Sequence, residues 1–152
     1  MNDRVLDTCT LSTYLRPNAA TSTPNLFQRV SNLIAANEAS VAAVTVYEMR
    51  RGLLRLALSG GSRRGLAQLT LVLQTIPILS LDVSGWAGWN LAAQLHAAGQ
   101  LQKPAVNFTE GDLLITATAA ANGKQLLTTD ARLGAALTTI GCGHFVEVIP
   151  VA

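Results

Sequence analysis

Apolar positions along the chain alternate between short continuous runs and stripes at helical spacing. Val5 and Leu6 form a brief apolar run that stops at Asp7. The next segment, Thr10 to Pro17, spaces Leu11, Tyr14 and Leu15 as one face of a helix. Asn18 to Pro24 is rich in turn formers, and Leu26 to Asn37 repeats Leu26, Val30, Leu33 and Ile34 at helical intervals. Ser40 to Thr45 reads as a second strand, and Val46 to Leu58 as a helix ended by the breaker Ser59-Gly60-Gly61-Ser62. Another helix, Arg64 to Gln74, leads to a third strand, Thr75 to Asp82. Gly85 to Ala98 is a helix with Gly99 as its stop, and Asp112 to Gly123 is apolar on nearly all sides, which predicts a buried helix closed by Gly123. Gln125 to Asp130 is a fourth strand, Ala131 to Gly141 a short helix, and His144 to Val151 a last strand. Strands apolar through their length and separated by helices predict a parallel sheet covered on both faces, an α/β fold.

Length changes this picture little: 152 residues, with no internal repeat or linker, suit one domain spanning 1–152. Composition adds more. Hydrophobic residues make up 49% and charged residues 13%, about half the roughly 25% usual in soluble domains, so disorder is excluded. So few charges leave apolar patches uncovered, and a homodimer is expected. Eleven basic against nine acidic residues give a net charge of +2, so any phosphate binding must be local. Cys9 and Cys142 stand far apart with no CxxC and no His at ligand spacing, which suggests neither zinc nor a disulfide framework and points to a reducing cytoplasm. The opening MNDRVLDTC lacks the pattern of a signal peptide, and the uncharged stretch Gly65 to Leu81 falls short of the roughly 20 apolar residues of a spanning helix, so no membrane association is expected.

In such a sheet, ligands gather beyond the carboxyl ends of the strands. Asp7 ends the first strand, Glu48 lies three residues past the second, Asp112 opens the buried helix and Asp130 ends the fourth strand. Carboxylates at close range raise one another's pKa and call for a cation, for which Mg²⁺ or Mn²⁺ is the natural choice. Each acid also has a plain structural reading. Thr45-x-x-Glu48 and Thr109-x-x-Asp112 resemble capping boxes, and Asp7 and Asp130 are good N-caps, although capping requires no convergence on one edge. Glu110 is a further acid near that edge. Arg51 and Arg55, four apart on one helix, could meet phosphates or simply lie over apolar neighbours. His96 and His144 are isolated in different elements and no GxSxG or Cys/His pairing occurs, so no nucleophilic triad is indicated. His96 is expected to pack at a helix end, Asp82 to cap a helix, Trp86 and Trp89 to lie in the core or an interface, and Arg63 and Arg64 to solvate their loop.

Four blocks, Val5-Leu6-Asp7-Thr8, Thr45 to Gly52, Gly111 to Ala119 and Leu127-Thr128-Thr129-Asp130, together resemble PIN-domain ribonucleases in order and spacing. The resemblance runs from Val5 to about Val148 and is nearest to the VapC-type toxins of bacterial toxin-antitoxin modules. It implies a three-layer domain with a parallel sheet of order 3-2-1-4-5. It also implies a divalent-metal site on Asp7, Glu48, Asp112 and Asp130 that cleaves RNA, with Thr128 as a nearby hydroxyl and Thr8 and Glu110 in support. Arg51 and Arg55 would then face RNA. The toxin role implies inhibition of translation and growth, held in check by a small antitoxin whose helix or extended tail occupies an apolar groove near the site. One departure stands out: Cys9 occupies a position where the family usually has Asn or Ser, which alters local hydrogen bonding at the site. Two rival readings remain, a haloacid dehalogenase-like phosphatase, which would need a second Asp where Cys9 stands, and a noncatalytic α/β interaction module in which the acids only cap helices.

Overall fold

The computed structural model describes residues 3–151, so Met1, Asn2 and Ala152, the ends of the expected 1–152 domain, lie outside the described residues. Its strands are β1 (Arg4–Leu6), β2 (Ala39–Ala42), β3 (Ile78–Leu79), β4 (Gln125–Thr128) and β5 (Val146–Val148). The helices are α1 (Thr8–Tyr14), α2 (Ala19–Ser22), α3 (Pro24–Ala35), α4 (Ala43–Leu58), α5 (Arg64–Leu73), α6 (Ala87–Gln100), α7 (Glu110–Ala121) and α8 (Ala131–Thr139). Every strand pairing is parallel, and the sheet order is β3-β2-β1-β4-β5, as the resemblance implies.

Consecutive residues on a strand face opposite ways, and here each face is buried by a different set of helices. Val5, Ala42 and Leu126 pack with Leu95 of α6, Leu113 and Ala117 of α7 and Leu137 of α8. Leu6, Val41 and Leu127 pack with Leu11 of α1, Leu26, Val30 and Leu33 of α3, and Leu69 of α5. In the central register Leu6 stands opposite both Val41 and Leu127, so the deepest apolar layer crosses three strands. That alternation explains why the strands read as unbroken apolar runs.

Several elements differ from their sequence-based bounds, each for a physical reason. β2 stops at Ala42 because its partner β1 ends at Leu6; with no ladder left to join, Ala43 to Thr45 enter α4. The Thr45/Glu48 capping box therefore does not form: α4 is capped at Ala42 without a side chain, and Thr45 is buried inside the helix. The edge strands β3 and β5 are two and three residues long, much shorter than the runs Thr75 to Asp82 and His144 to Val151. A 3-10 turn, Gly143–Phe145, takes up the start of the latter, and α2 forms within the turn-rich gap. Asp82 does not cap α6, whose N-cap is Trp86; its carboxylate accepts the Trp89 indole N–H at 2.9 Å. Trp86 and Trp89 are exposed, not core, and His96 is exposed along α6 instead of packed at a helix end. Gly123, with φ of +69°, closes α7 as expected.

Gly99 is not a stop but a buried position inside α6, where the chain returns and the Val106 N–H donates to its carbonyl at 2.9 Å. A Cβ at Gly99 would lie 2.5 Å from the Val106 carbonyl oxygen and 3.0 Å from the Phe108 ring. Gly99→Ala gains up to about 1 kcal/mol of helix propensity but collides with backbone, and overpacking of this kind costs about 1–3 kcal/mol. The overlap wins, so urea unfolding should show a net loss of stability.

Candidate active site

Asp7 follows β1 directly and turns the chain into α1. It is 6% exposed. Its Oδ1 accepts the Thr10 N–H at 2.7 Å as the N-cap of α1, and its Oδ2 accepts the Thr128 hydroxyl at close range. Thr128, the last residue of β4, in turn accepts the Asp130 N–H at 3.0 Å, and Asp130 caps α8 through the Arg132 and Leu133 amides. Asp112 sits in the first turn of α7, where its N–H donates to the Thr109 hydroxyl at 3.1 Å; this is the Thr109 half of the expected box. Glu48 rises from α4, and its Oε1 accepts the Thr8 hydroxyl at 2.7 Å.

Asp7, Thr8, Cys9, Glu48 and Asp112 line one cleft of about 200 Å³ over Ile115, Leu126 and Leu133. Burial raises the Asp7 carboxyl above its ordinary 3.8 despite the hydrogen bonds from Thr128 and Thr10, and the charge of Asp130 adds to the rise. Asp112 is also raised, first by burial, against the Thr109 hydrogen bond, and then by Asp130, Asp7 and Glu48. The Cys9 thiol is pushed up by partial burial and by all four carboxylates, so it registers their shared field. The ion pairs among the described residues, Arg4 and Arg29 with Glu147 and Lys124 with Asp3, leave these four acids without a cation. Arg4 and Lys124 stand at the amino ends of β1 and β4, opposite the acidic edge.

Among the described residues no three acidic, His or Cys side chains are drawn tightly enough together to enclose an ion as they stand. A closed cage is not what Mg²⁺ needs, since it is usually held by one or two carboxylates plus waters and substrate phosphates. Hard oxygen donors at one cleft, two of them with raised pKa values and none paired with a cation, fit such an ion.

The other expected residues separate. Thr8 and Thr128 touch Glu48 and Asp7 directly. Glu110 is exposed and lines an adjoining cleft of about 440 Å³ with Tyr47, Glu48 and Arg51. The Arg51 guanidinium lies 5.2 Å from the centre of the Tyr47 ring, while Arg55 is exposed one turn further on and does not line either cleft. Sequence reading missed Thr10, whose hydroxyl donates to the Leu127 carbonyl at 3.0 Å and tethers α1 to β4. It gave Thr45 a capping role, whereas its hydroxyl lies inside α4, 3.3 Å from that of Thr8. A Thr three residues after an N-cap Asp gave a local signal for the first; only the fold reveals the second.

An acid with a raised folded pKa holds its proton more tightly when folded, so the protein gains stability as pH falls toward the unfolded value and loses it as pH rises through the folded one. Glu147 behaves oppositely. Burial opposes its ionisation, but Arg4 and Arg29 hold it below 4.5, so its contribution persists above 4.5 and fades only as pH falls through the lower folded value. In chelator, the melting temperature should therefore fall as pH rises from the ordinary carboxylate range towards neutrality, and Asp7→Asn and Asp112→Asn should each shrink that fall.

A family model of the PIN domain matches residues 4–136. Among curated proteins no relative matches. A chain of the VapBC-5 toxin-antitoxin structure from Mycobacterium tuberculosis superposes with a TM-score of 0.63 at 22% identity, covering 99% of this chain and 100% of that one. A chain of FitAcB from Neisseria gonorrhoeae gives 0.64 at 20%, covering 88% and 92%. A chain of Rickettsia felis VapBC2, bound to a DNA fragment from its promoter, gives 0.61 at 17%, covering 84% and 86%. At such identities the superpositions speak for the fold. The family model covers most of the chain and includes all four carboxylates, and by that match the chain belongs to the PIN-domain family.

Proposed function

We propose that this chain is an endoribonuclease that uses Mg²⁺ or Mn²⁺ to hydrolyse RNA phosphodiester bonds. The observation that carries the reading is the gathering of Asp7, Glu48, Asp112 and Asp130 at one edge of the sheet, paired with no cation, where the Asp7 and Asp112 carboxyls are raised first by burial and then by neighbouring acids. PIN domains are nucleases and generally use divalent metals, which supports it. Asp7 and Asp112 would hold the ion most directly, with Glu48 and Asp130 completing the anionic field. When bound, the ion supplies a nucleophilic water, neutralises charge on the phosphate and stabilises the leaving alkoxide. Thr128 and the Thr10 amide fix the Asp7 oxygens, Thr8 fixes Glu48, and Arg51, beside Glu48, is placed to meet an RNA phosphate, with Arg55 further along the strand's path. In the metal-free cleft the Cys9 thiol is pushed up by partial burial and by the four carboxylates.

The biological role proposed with this activity is the toxin of a toxin-antitoxin pair, one domain acting in the cytoplasm to inhibit translation and growth. Among the described residues no helix is long and apolar enough to cross a membrane. A small antitoxin would fill the apolar groove of about 450 Å³ lined by Tyr14, Leu15, Phe27, Ile34, Leu71 and Val72. Exposed Leu54, Leu58, Trp86, Trp89 and Leu101 favour a homodimer. The PIN family model matches the chain, and Cys9 lacks the carboxylate that a haloacid dehalogenase would need there.

Asn caps a helix about as well as Asp, so Asp7→Asn, Asp112→Asn, Asp130→Asn and Glu48→Gln should fold and, in chelator, melt at or slightly above wild type. Only wild type should gain strongly in melting temperature on adding Mg²⁺ or Mn²⁺. Removing residues that merely orient metal ligands typically costs 10–100-fold, so cleavage of total RNA should fall about 100-fold or more for the Asp7 and Asp112 variants. Metal-dependent cleavage that survives these changes while stability drops would make the acids structural caps and overturn the assignment of the activity to these residues. Sedimentation should show a dimer at tens of micromolar, a concentration that populates even weak dimers.

A further inference from the structure

We propose that Gly111 and Thr8 are positioning residues that together preset the Glu48 carboxylate, with Gly111 required for the space it leaves. The proposal rests on the metal-dependent reading above and identifies how one of its acids is aimed. Glu48 comes from α4, far along the chain from both partners, and a glutamate side chain carries enough rotamer freedom that an exposed one would sample many positions. Here its two oxygens are held differently. Oε1 accepts the Thr8 hydroxyl at 2.7 Å, and Thr8 itself lies 3.3 Å from the Thr45 hydroxyl one turn earlier on α4. Oε2 rests over the backbone of Gly111: a Cβ there would lie 2.7 Å from Oε2, 3.4 Å from the carboxyl carbon and 3.6 Å from Oε1.

Backbone conformation does not explain the glycine. Gly111 has no positive φ and lies in the first turn of α7, where any residue fits the backbone and most would favour the helix more. Nor is the nearest obstacle rigid, because the three atoms closest to a side chain there all belong to the far end of Glu48. A methyl group at 111 would therefore leave the fold in place and displace the carboxylate, pulling Oε1 off Thr8. Thr8 follows Asp7 and Gly111 precedes Asp112, so the residues flanking two acids in sequence hold the third.

The test uses the full chain without RNA. Mn²⁺ binding is measured by calorimetry, and melting is measured in chelator, for wild type, Gly111→Ala, Thr8→Val, Thr8→Ser and Gly52→Ala, the last adding a methyl to α4 where nothing lies within 4 Å. Gly111→Ala should melt at or above wild type in chelator yet bind Mn²⁺ about tenfold more weakly or worse, the range seen when residues that orient metal ligands are lost. Thr8→Val should weaken binding similarly, while Thr8→Ser, which restores the hydroxyl, and Gly52→Ala should bind as wild type does. In a Glu48→Gln background, Gly111→Ala should cause no further loss, since it acts through that carboxylate. Wild-type affinity in Gly111→Ala, a melting temperature below wild type in chelator, or an additive loss in the Glu48→Gln background would each overturn the proposal. A wild type that binds no Mn²⁺ would instead overturn the metal-dependent reading on which it stands.

Discussion

The buried, cation-free carboxylate of Asp7 is the constraint around which the working edge is organised. A charged acceptor taken out of water must be supplied with donors, and each such bond is worth about 1.5–3 kcal/mol net. The Thr10 amide from the start of α1 and the Thr128 hydroxyl from the end of β4 meet that demand, and the Asp130 amide orients Thr128. One side chain thus ties together β1, α1, β4 and the entry to α8. The donors are not enough, since burial still raises its pKa. What is left over is an unmet demand for positive charge, which a divalent ion would satisfy.

Parallel pairing is what gathers the other acids to that demand. Because all five strands run the same way, every strand-to-helix turn on the carboxyl side faces the same edge. α1, α4, α7 and α8 begin there, and Asp7, Asp112 and Asp130 lie at or within the first turn of three of them. Helix N-termini favour nearby anions by about 0.3–1 kcal/mol each, which lets the acids crowd without a basic side chain between them. Arg4 and Lys124 sit at the opposite ends of β1 and β4, engaged with Glu147 and Asp3, so the two signs of charge are separated across the sheet.

Close backbone approaches fix α6, the helix on which α7 packs. α7 is buried over most of its surface and packs heavily on α6, where Gly88 lies against the Leu81 backbone and Gly99 against Val106. That packing leaves α7 little freedom, and Asp112 at its amino end inherits the rigidity. Glu48 has no such anchor in its own helix turn and depends on contacts from α1 and α7. The rigid acids are therefore the aspartates at helix starts, and the one on a long side chain is held by its neighbours.

Much of the fold was legible in the residues themselves. Apolar runs at Val5-Leu6, Val41-Ala42 and Leu126-Leu127 named the central strands, because strands buried on both faces admit no polar alternation. Asp7, Asp112 and Asp130 were legible because capping and the carboxyl edge coincide at those turns. Edge strands read too long because β3 pairs with only Val41 and Ala42 of β2 and β5 with only Leu126 to Thr128 of β4, a limit that local composition does not encode. The Thr45 cap, the Gly99 stop and the Asp82 cap failed because each depends on what approaches from elsewhere: the early end of β1, the Val106 carbonyl and the Trp89 indole. Sequence determined which residues could turn, cap and carry charge, since those properties are local. Tertiary structure alone decided that Thr8 would meet Glu48, that Thr128 would meet Asp7, and that Gly111 would leave room beneath a carboxylate, because such contacts exist only once distant segments are brought within a few ångströms.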